Sequence, residues 1–235
     1  MSHTDEDDHS RDQHNGDHPQ HSHQQTDATT DPADYWEERY AGAEPVWSGR
    51  VNTQLAAIAG DLAPGRALDL GCGEGADAIW LAERGWQTTG VDIAGTALQR
   101  AARAASERGL DPDLVRWLQA DLAAWTPDGQ YDLISASFMQ SPLDFPRAEV
   151  LRRAAGAVAA GGHLLVVAHA APPPWAKGLD SSTHHFLSPE QEVAELALDE
   201  QDYAVRVAEE RTRPATGPNG EQAELTDTVV LIRRR

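Results

Sequence analysis

Residues 67–85 read ALDLGCGEGADAIWLAERG, and this stretch decides the fold. An apolar run carrying one acid, Asp69, meets Gly71, Gly73 and Gly75, and a helical pattern follows at once. Glycine lacks a Cβ and adopts positive φ at little steric cost, so a strand-to-helix turn of this kind lets something come close to the backbone. The dinucleotide fingerprint spaces its glycines G-x-G-x-x-G. Here the order is Gly71-Cys72-Gly73-Glu74-Gly75. Glu74 stands at the helix N-terminus, where a pyrophosphate would have to lie, and a carboxylate there repels phosphate. The loop suits a ligand without one.

Outward from the loop, strand and helix patterns alternate. TQLAAIAGDL repeats apolar residues at helical spacing, ALDLG is a short buried strand, and GADAIWLAERG is a helix with Gly85 at its C-terminal end. WQTTGVDIA is the next strand, and TALQRAARAASERG is an alanine-rich helix that ends at Gly109. DLVRWLQAD and YDLISASFM are further strands, RAEVLRRAAGAVAAGG reads as a helix, and HLLVVAHA is a fully apolar strand. In LSPEQEVAELALDE, Ser188 is the N-cap, Pro189 takes the first helical position and Gln191 the capping-box position. YAVRVAEERT and DTVVLIRRR form a hairpin-like closing pair joined by RPATGPNGEQAEL. Alternating βα units imply a parallel sheet with helices on both faces.

In an open α/β sheet, ligands bind outside the carboxyl ends of the strands. The residues at those ends are Gly71 to Gly75, Asp92, Asp121, Ser137 with Phe138, and His169. An acid at Asp92, 17 residues past Gly75, can accept both hydroxyls of a ribose; Asp121 can accept from an adenine amino group. The ligand these residues suggest is an adenosine carrying a non-phosphate, cationic group.

LDLGCGEG, VDIA, ADL and YDLISASF together resemble the ordered motifs of class I S-adenosylmethionine-dependent methyltransferases. The upstream YWEERYAGAEPVWSGRVNTQL is similar to the lead-in of a subgroup related to tellurite-resistance and thiopurine-type enzymes, with Val51 where a proline is usual. The resemblance spans residues 35–235. It implies a Rossmann-like α/β fold: a seven-stranded, mostly parallel sheet flanked by helices, with an antiparallel C-terminal strand. It implies S-adenosylmethionine as cofactor, bound by Asp69, Gly71, Cys72, Gly73, Asp92, Ile93, Asp121, Leu122 and Ser137, with Tyr40 and Trp47 folded over it. Asp69 would hold the cofactor ammonium through water or backbone, and Ile93 and Leu122 would pack on the adenine faces. Cys72 reads as a position needing a small residue rather than as a reactive thiol.

The implied reaction is in-line displacement at the sulfonium methyl by an acceptor heteroatom. The leaving thioether is good, so positioning and exclusion of water can supply most of the acceleration. A protonated acceptor needs a base, and His169 is the candidate by topology, with His184 and His185 as alternatives in the loop that follows it. The proline-rich HAAPPPWAKGLDSSTHHF, with Trp175, reads as a semi-rigid apolar wall for a small-molecule acceptor. Two other readings compete. A nicotinamide oxidoreductase shares the sheet and Asp92 but fails on the glycine spacing and on Glu74. A non-catalytic nucleoside-binding relative, or a metal-handling protein, would keep the fold and lose the acceptor chemistry.

Bulk composition fits this picture. The chain of 235 residues has a formal net charge of −19, which argues against nucleic acid and anionic membrane surfaces as partners. No apolar run reaches the roughly 18 residues of a membrane span. Cys72 is the only cysteine, and the N-terminus lacks the apolar core of a signal peptide, so the expected compartment is the cytoplasm. Residues 1–34 hold nine acids, one arginine and six of the ten histidines, with almost nothing large and apolar, and read as a disordered tail. Its histidines and aspartates are competent ligands for zinc, nickel or copper. Their irregular spacing, without cysteine, favours a solvated charged tail and no metal site.

Overall fold

The computed structural model describes residues 31–176, 186–217 and 219–235. Elements follow in the order α1 (Pro32–Tyr40), α2 (Thr53–Ala59), β1 (Arg66–Leu70), α3 (Ala76–Ala82), β2 (Gln87–Asp92), α4 (Gly95–Glu107), β3 (Val115–Gln119), β4 (Tyr131–Ser137), α5 (Arg147–Ala155), β5 (Val158–His169), α6 (Pro189–Leu196), β6 (Tyr203–Thr216) and β7 (Gln222–Arg234). They build a seven-stranded sheet of order β3-β2-β1-β4-β5-β7-β6. The first five strands in that order run parallel, and β7 pairs antiparallel with both β5 and β6. This is the mostly parallel sheet with an antiparallel C-terminal strand that the sequence implies.

Both faces of the sheet are buried, as a parallel sheet requires. Leu68, Leu70, Ile134, Leu164, Val166 and Val230 pack on one face with α5 and α6, while Ala67, Leu133, Leu165, Val167 and Val229 pack on the other with Leu55, Leu81 and Trp86. The two sets interleave along each strand with the period of two that side chains on a pleated strand must have. On α4, Ala97, Leu98, Ala101 and Ala105 are buried at helical spacing, so the alanine-rich sequence lets this helix lie close to the sheet.

The caps follow the sequence. Asp31 accepts from the Ala33 amide at 2.8 Å and Pro32 occupies the first turn of α1. Asn52 accepts from the Gln54 and Leu55 amides, and Ser188 with Gln191 forms the expected capping box on α6. The N-terminus of α4 has no side-chain cap of its own. Its Gly95 and Thr96 amides donate instead to Glu37, which ties α1 to the start of α4.

Several boundaries differ from the sequence reading. Residues 157–162, read as the end of a helix, contain the start of a strand: Val158 pairs with Tyr131, and the register shifts before His163 pairs with Leu133. Gly156, Gly161 and Gly162 weaken a helix there, and Gly161 takes φ +80° at the irregularity. The closing strands are longer than YAVRVAEERT and DTVVLIRRR, because the ladder continues out to Thr216 and Gln222 and absorbs most of the connection. Pro32, Ala33 and Asp34, grouped by composition with the preceding tail, form the first turn of α1; the rest of that tail, residues 1–30, lies outside the described residues.

Candidate cofactor and acceptor site

The strand order turns back between β1 and β4, and the glycine loop leaves β1 at that point. Gly71, Gly73 and Gly75 all have positive φ (+65°, +51° and +81°). The loop is pinned from below: the Cys72 amide donates to Val91 O at 3.0 Å, and the Gly75 amide to Cys72 O at 2.9 Å. Each glycine clears a different neighbour. A Cβ on Gly75 would lie 2.5 Å from Trp117 and 2.7 Å from Ala101, so this glycine serves the packing of α3 and α4 against β3 rather than a ligand. A Cβ on Gly73 would meet the Tyr40 hydroxyl at 3.0 Å and Trp47 Nε1 at 3.3 Å, and one on Gly71 would touch Met139 at 3.5 Å.

The segment joining α1 to α2 is folded down onto this loop. Trp47 Nε1 donates to the Tyr40 hydroxyl at 2.8 Å. Tyr40 is buried, and burial pushes its phenol up. Glu74 does not face a ligand: its carboxylate accepts from the Val46 and Trp47 amides and pairs with Arg100 at 2.8 Å. Arg100 also donates to the carbonyls of Tyr40, Gly42 and Glu44. Glu74 and Arg100 thus fasten the cover in place.

Beneath the loop lie three buried acids. Asp69 accepts from Ser135 Oγ at 3.0 Å; burial, and then the nearby Asp77, raise its carboxyl well above the ordinary range. Asp77 is raised by burial and drawn partly back by the Asn52 amide, at 2.6 Å, and the Ser137 hydroxyl. Asp92 accepts from the Gly73 amide at 2.8 Å and the Ala94 amide at 2.9 Å, and burial raises it as well. Burial pushes the Cys72 thiol well up, with Asp69 and Asp92 adding to it, so Cys72 is no ready nucleophile. Ser137, placed among the cofactor contacts by the sequence reading, keeps its hydroxyl beside Asp77.

At the ends of β2 and β3 opens a cavity of about 430 Å³, lined by Asp31, Pro32, Ala33, Ile93, Gln119, Ala120 and Asp121. Ile93 and Asp121 are both on its wall. Leu122 is buried in the core cluster with Leu68, Val91 and Ile134, while Ala120 is on the cavity wall. The strand ends at Gln119 and a turn follows, in which Asp121 accepts from the Ala123 amide; this rotates Leu122 inward.

On the other side of the loop, His169 ends β5. Its ring stacks on Phe138 at 4.1 Å, and its backbone N–H and C=O both bond the Gln140 amide group. Phe138 has φ +53°, a conformation uncommon for a bulky residue and concentrated at functional sites. Trp175 packs at the hairpin end, where a Cβ on Gly217 would come within 2.9 Å of its ring. His184 and His185 lie outside the described residues. The sequence reading missed Asp227, which faces His169 from β7, and Arg213 of β6, which pairs with Asp227. No local motif marks them; only the antiparallel register, His169 opposite Asp227, brings them there.

The residues fit an adenosine bearing a cationic chain. Ile93, next to Asp92, and Asp121 line the cavity, and a carboxylate offers about four acceptor positions, more than the amides on Asp92 occupy. Comparison with known proteins agrees. Residues 67–162 match the family described as a methyltransferase domain. Over that segment the chain is similar to S-adenosylmethionine-dependent methyltransferases.

Among relatives, a 2-heptyl-1-hydroxyquinolin-4(1H)-one methyltransferase of Mycobacteroides abscessus is 38% identical over 123 residues, 47% of this chain and 53% of the relative. The chain thus spans about half of that relative's length. Ribosomal RNA small subunit methyltransferases also match, over 20% of this chain in the case of Alcanivorax borkumensis. Among solved structures, the N-methyltransferase NodS from Bradyrhizobium japonicum, in complex with S-adenosyl-L-homocysteine, has a TM-score of 0.61 at 18% identity, covering 87% of this chain and 99% of that one. TehB from Haemophilus influenzae has a TM-score of 0.60 at 19% identity, covering 86% and 67%. These two likenesses are likenesses of fold.

Proposed function

We propose that the chain transfers the methyl group of S-adenosylmethionine to a small-molecule acceptor by in-line displacement. One observation carries this reading: the Asp92 carboxylate joins the glycine loop to the end of β2, beside a cavity lined by Ile93 and Asp121. When bound, the cofactor supplies an activated methyl group on a good leaving thioether. The chain supplies the rest. Asp92 accepts the ribose hydroxyls, Asp121 the adenine amino group, and Ile93 with Ala120 borders the base. Asp69 and the loop carbonyls hold the ammonium end, and Tyr40 with Trp47 excludes water above Gly73. His169 takes the proton of an acceptor that carries one.

The small-molecule acceptor is supported by the curated hydroxyquinolone relative and by the formal charge of −19, which repels nucleic acid despite the ribosomal RNA enzymes among the relatives. The same charge disfavours membrane surfaces, and no helix among the described residues is long and apolar enough to cross a membrane. Action in the cytoplasm belongs to this proposal, as does a domain of residues 35–235 preceded by a solvated tail. The lead-in sequence supports kinship with the tellurite-resistance and thiopurine-type subgroup.

A panel of phenols, thiols and amines, screened by release of S-adenosylhomocysteine, tests the reading. Acceptor-dependent release is expected from at least one class. Cofactor binding with no release from any of them would favour a binding domain over an enzyme.

A further inference from the structure

Asp227 is a charged residue with no exposed surface. Its Oδ2 accepts from Arg213 Nε at 2.7 Å. Its Oδ1 is buried and has no hydrogen-bond partner among the described residues, and lies 3.6 Å from His169 Nδ1. Leaving a buried carboxylate oxygen without a donor is costly, so such an atom calls for a reason. The imidazole Nδ1 of His169 is turned toward it.

The ring itself is held on several sides. Phe138 stacks on it, with the rings 15° apart, and Arg213 lies 5.1 Å from the Phe138 ring. Gln140 grips the His169 backbone from both groups. The imidazole is nonetheless 29% exposed. Among the described residues, Asp227 on β7 faces it and Arg213 on β6 pairs with that carboxylate; Arg211, opposite Asp227 in the ladder, turns instead to Glu209 at 2.7 Å.

We propose that Asp227, backed by Arg213, is a positioning residue that sets His169 as the base of methyl transfer. With a carboxylate against Nδ1, the neutral ring keeps its proton there and leaves the Nε2 lone pair free. The acceptor heteroatom forms its bond to the methyl carbon, the methyl–sulfur bond breaks with its electron pair passing to sulfur, and the acceptor proton goes to Nε2. The imidazolium so formed sits against Asp227 until it loses the proton to solvent. Arg213 supplies the counter-charge that lets the carboxylate stay buried. This rests on the proposed reaction and narrows its acceptors to those with a removable proton: a phenol-like or heteroaryl hydroxyl, a thiol, or an acidic N–H.

Two readouts test it. The first needs no acceptor: ¹⁵N NMR of labelled histidine, with the His169 signals assigned by their loss in His169→Gln. Wild type is expected to carry the neutral-ring proton on Nδ1. Asp227→Asn should mix the tautomers. Asp227→Ser, with the same result expected, keeps the test decisive if Asp227→Asn does not fold. A tautomer unchanged in the folded variants would overturn the proposal.

The second readout is turnover with an acceptor from the screen. Asp227→Asn should lower kcat at least tenfold, leave cofactor affinity within about threefold, and cost nothing more in a His169→Gln background. Losses that multiply across the two sites would make Asp227 merely structural. An oriented histidine with no methyl transfer to any acceptor would overturn the proposed function, whereas turnover that survives Asp227→Asn would overturn the pair alone.

Discussion

Trp47 donates its indole N–H to the Tyr40 hydroxyl at 2.8 Å, and both atoms stand within 3.3 Å of the point where a side chain on Gly73 would begin. The bond ties an indole that is 48% exposed to a buried phenol. It closes the segment between α1 and α2 over the loop on which the cofactor's methionyl end would rest. Tyr40→Phe removes the acceptor and little else. A neutral hydrogen bond contributes about 1 kcal/mol, so cofactor affinity should fall roughly fivefold while the melting temperature changes little. Calorimetric titration checks this, and an unchanged dissociation constant would release the pair from any role in binding.

The glycines of the loop differ in what they cost to replace. Gly75→Ala meets both a positive φ and the Trp117 ring at 2.5 Å. Left-handed backbone costs about 1–2 kcal/mol for a residue with a Cβ, and overpacking about 1–3 more. The variant should therefore lose about 2–5 kcal/mol in urea denaturation. Gly85→Ala, with φ +85° and open space around it, should lose only the backbone part. Similar losses at both positions would show that Trp117 yields, and that packing does not explain Gly75.

The buried acids give stability a particular pH dependence. Burial raises Asp69, Asp77 and Asp92 above their ordinary value of 3.8. A carboxyl whose pKa is higher folded than unfolded binds more protons when folded, so stability falls as pH rises between the two values. Its contribution is full below the ordinary carboxylate range and is lost as pH rises through the raised folded values. Glu37, lowered by its hydrogen bonds to Thr96 and Gly95, acts in the opposite sense, its contribution being lost as pH falls. With three raised acids against it, the ligand-free melting temperature should decline as pH rises above the ordinary carboxylate range. Asp69→Asn should flatten that decline, since it removes the acid that also faces Asp77. A profile identical to wild type would place the pH dependence elsewhere.

Much of this was legible in the chain. The loop at Gly71 to Gly75 and the acids Asp92 and Asp121 are marked by short local patterns; the loop follows β1, Asp92 ends β2, and Asp121 stands in the turn two residues past β3. Ser188, Pro189 and Gln191 encode a cap within four residues and form it. What was not legible depends on pairing. The start of β5 reads as helix because AAGAVAA has helical composition; only its partner Tyr131 makes it strand. Leu122 follows Asp121 of the cavity wall, yet a turn directs it into the core. Asp227 sits 58 residues beyond His169, and nothing near either residue announces the other before β5 and β7 align.

The central claim is that the site holds an adenosine carrying a sulfonium, not a nicotinamide dinucleotide. Calorimetry of the purified full chain with S-adenosylmethionine, S-adenosylhomocysteine and NAD tests it most directly, with Asp92→Asn measured beside wild type. Two ribose hydroxyls on one carboxylate contribute about 1.5–3 kcal/mol each, so Asp92→Asn should bind both sulfur ligands at least tenfold more weakly while keeping its cooperative melting. Wild type should bind these ligands and give no signal with NAD. Tight NAD binding without an adenosylmethionine signal would contradict the account.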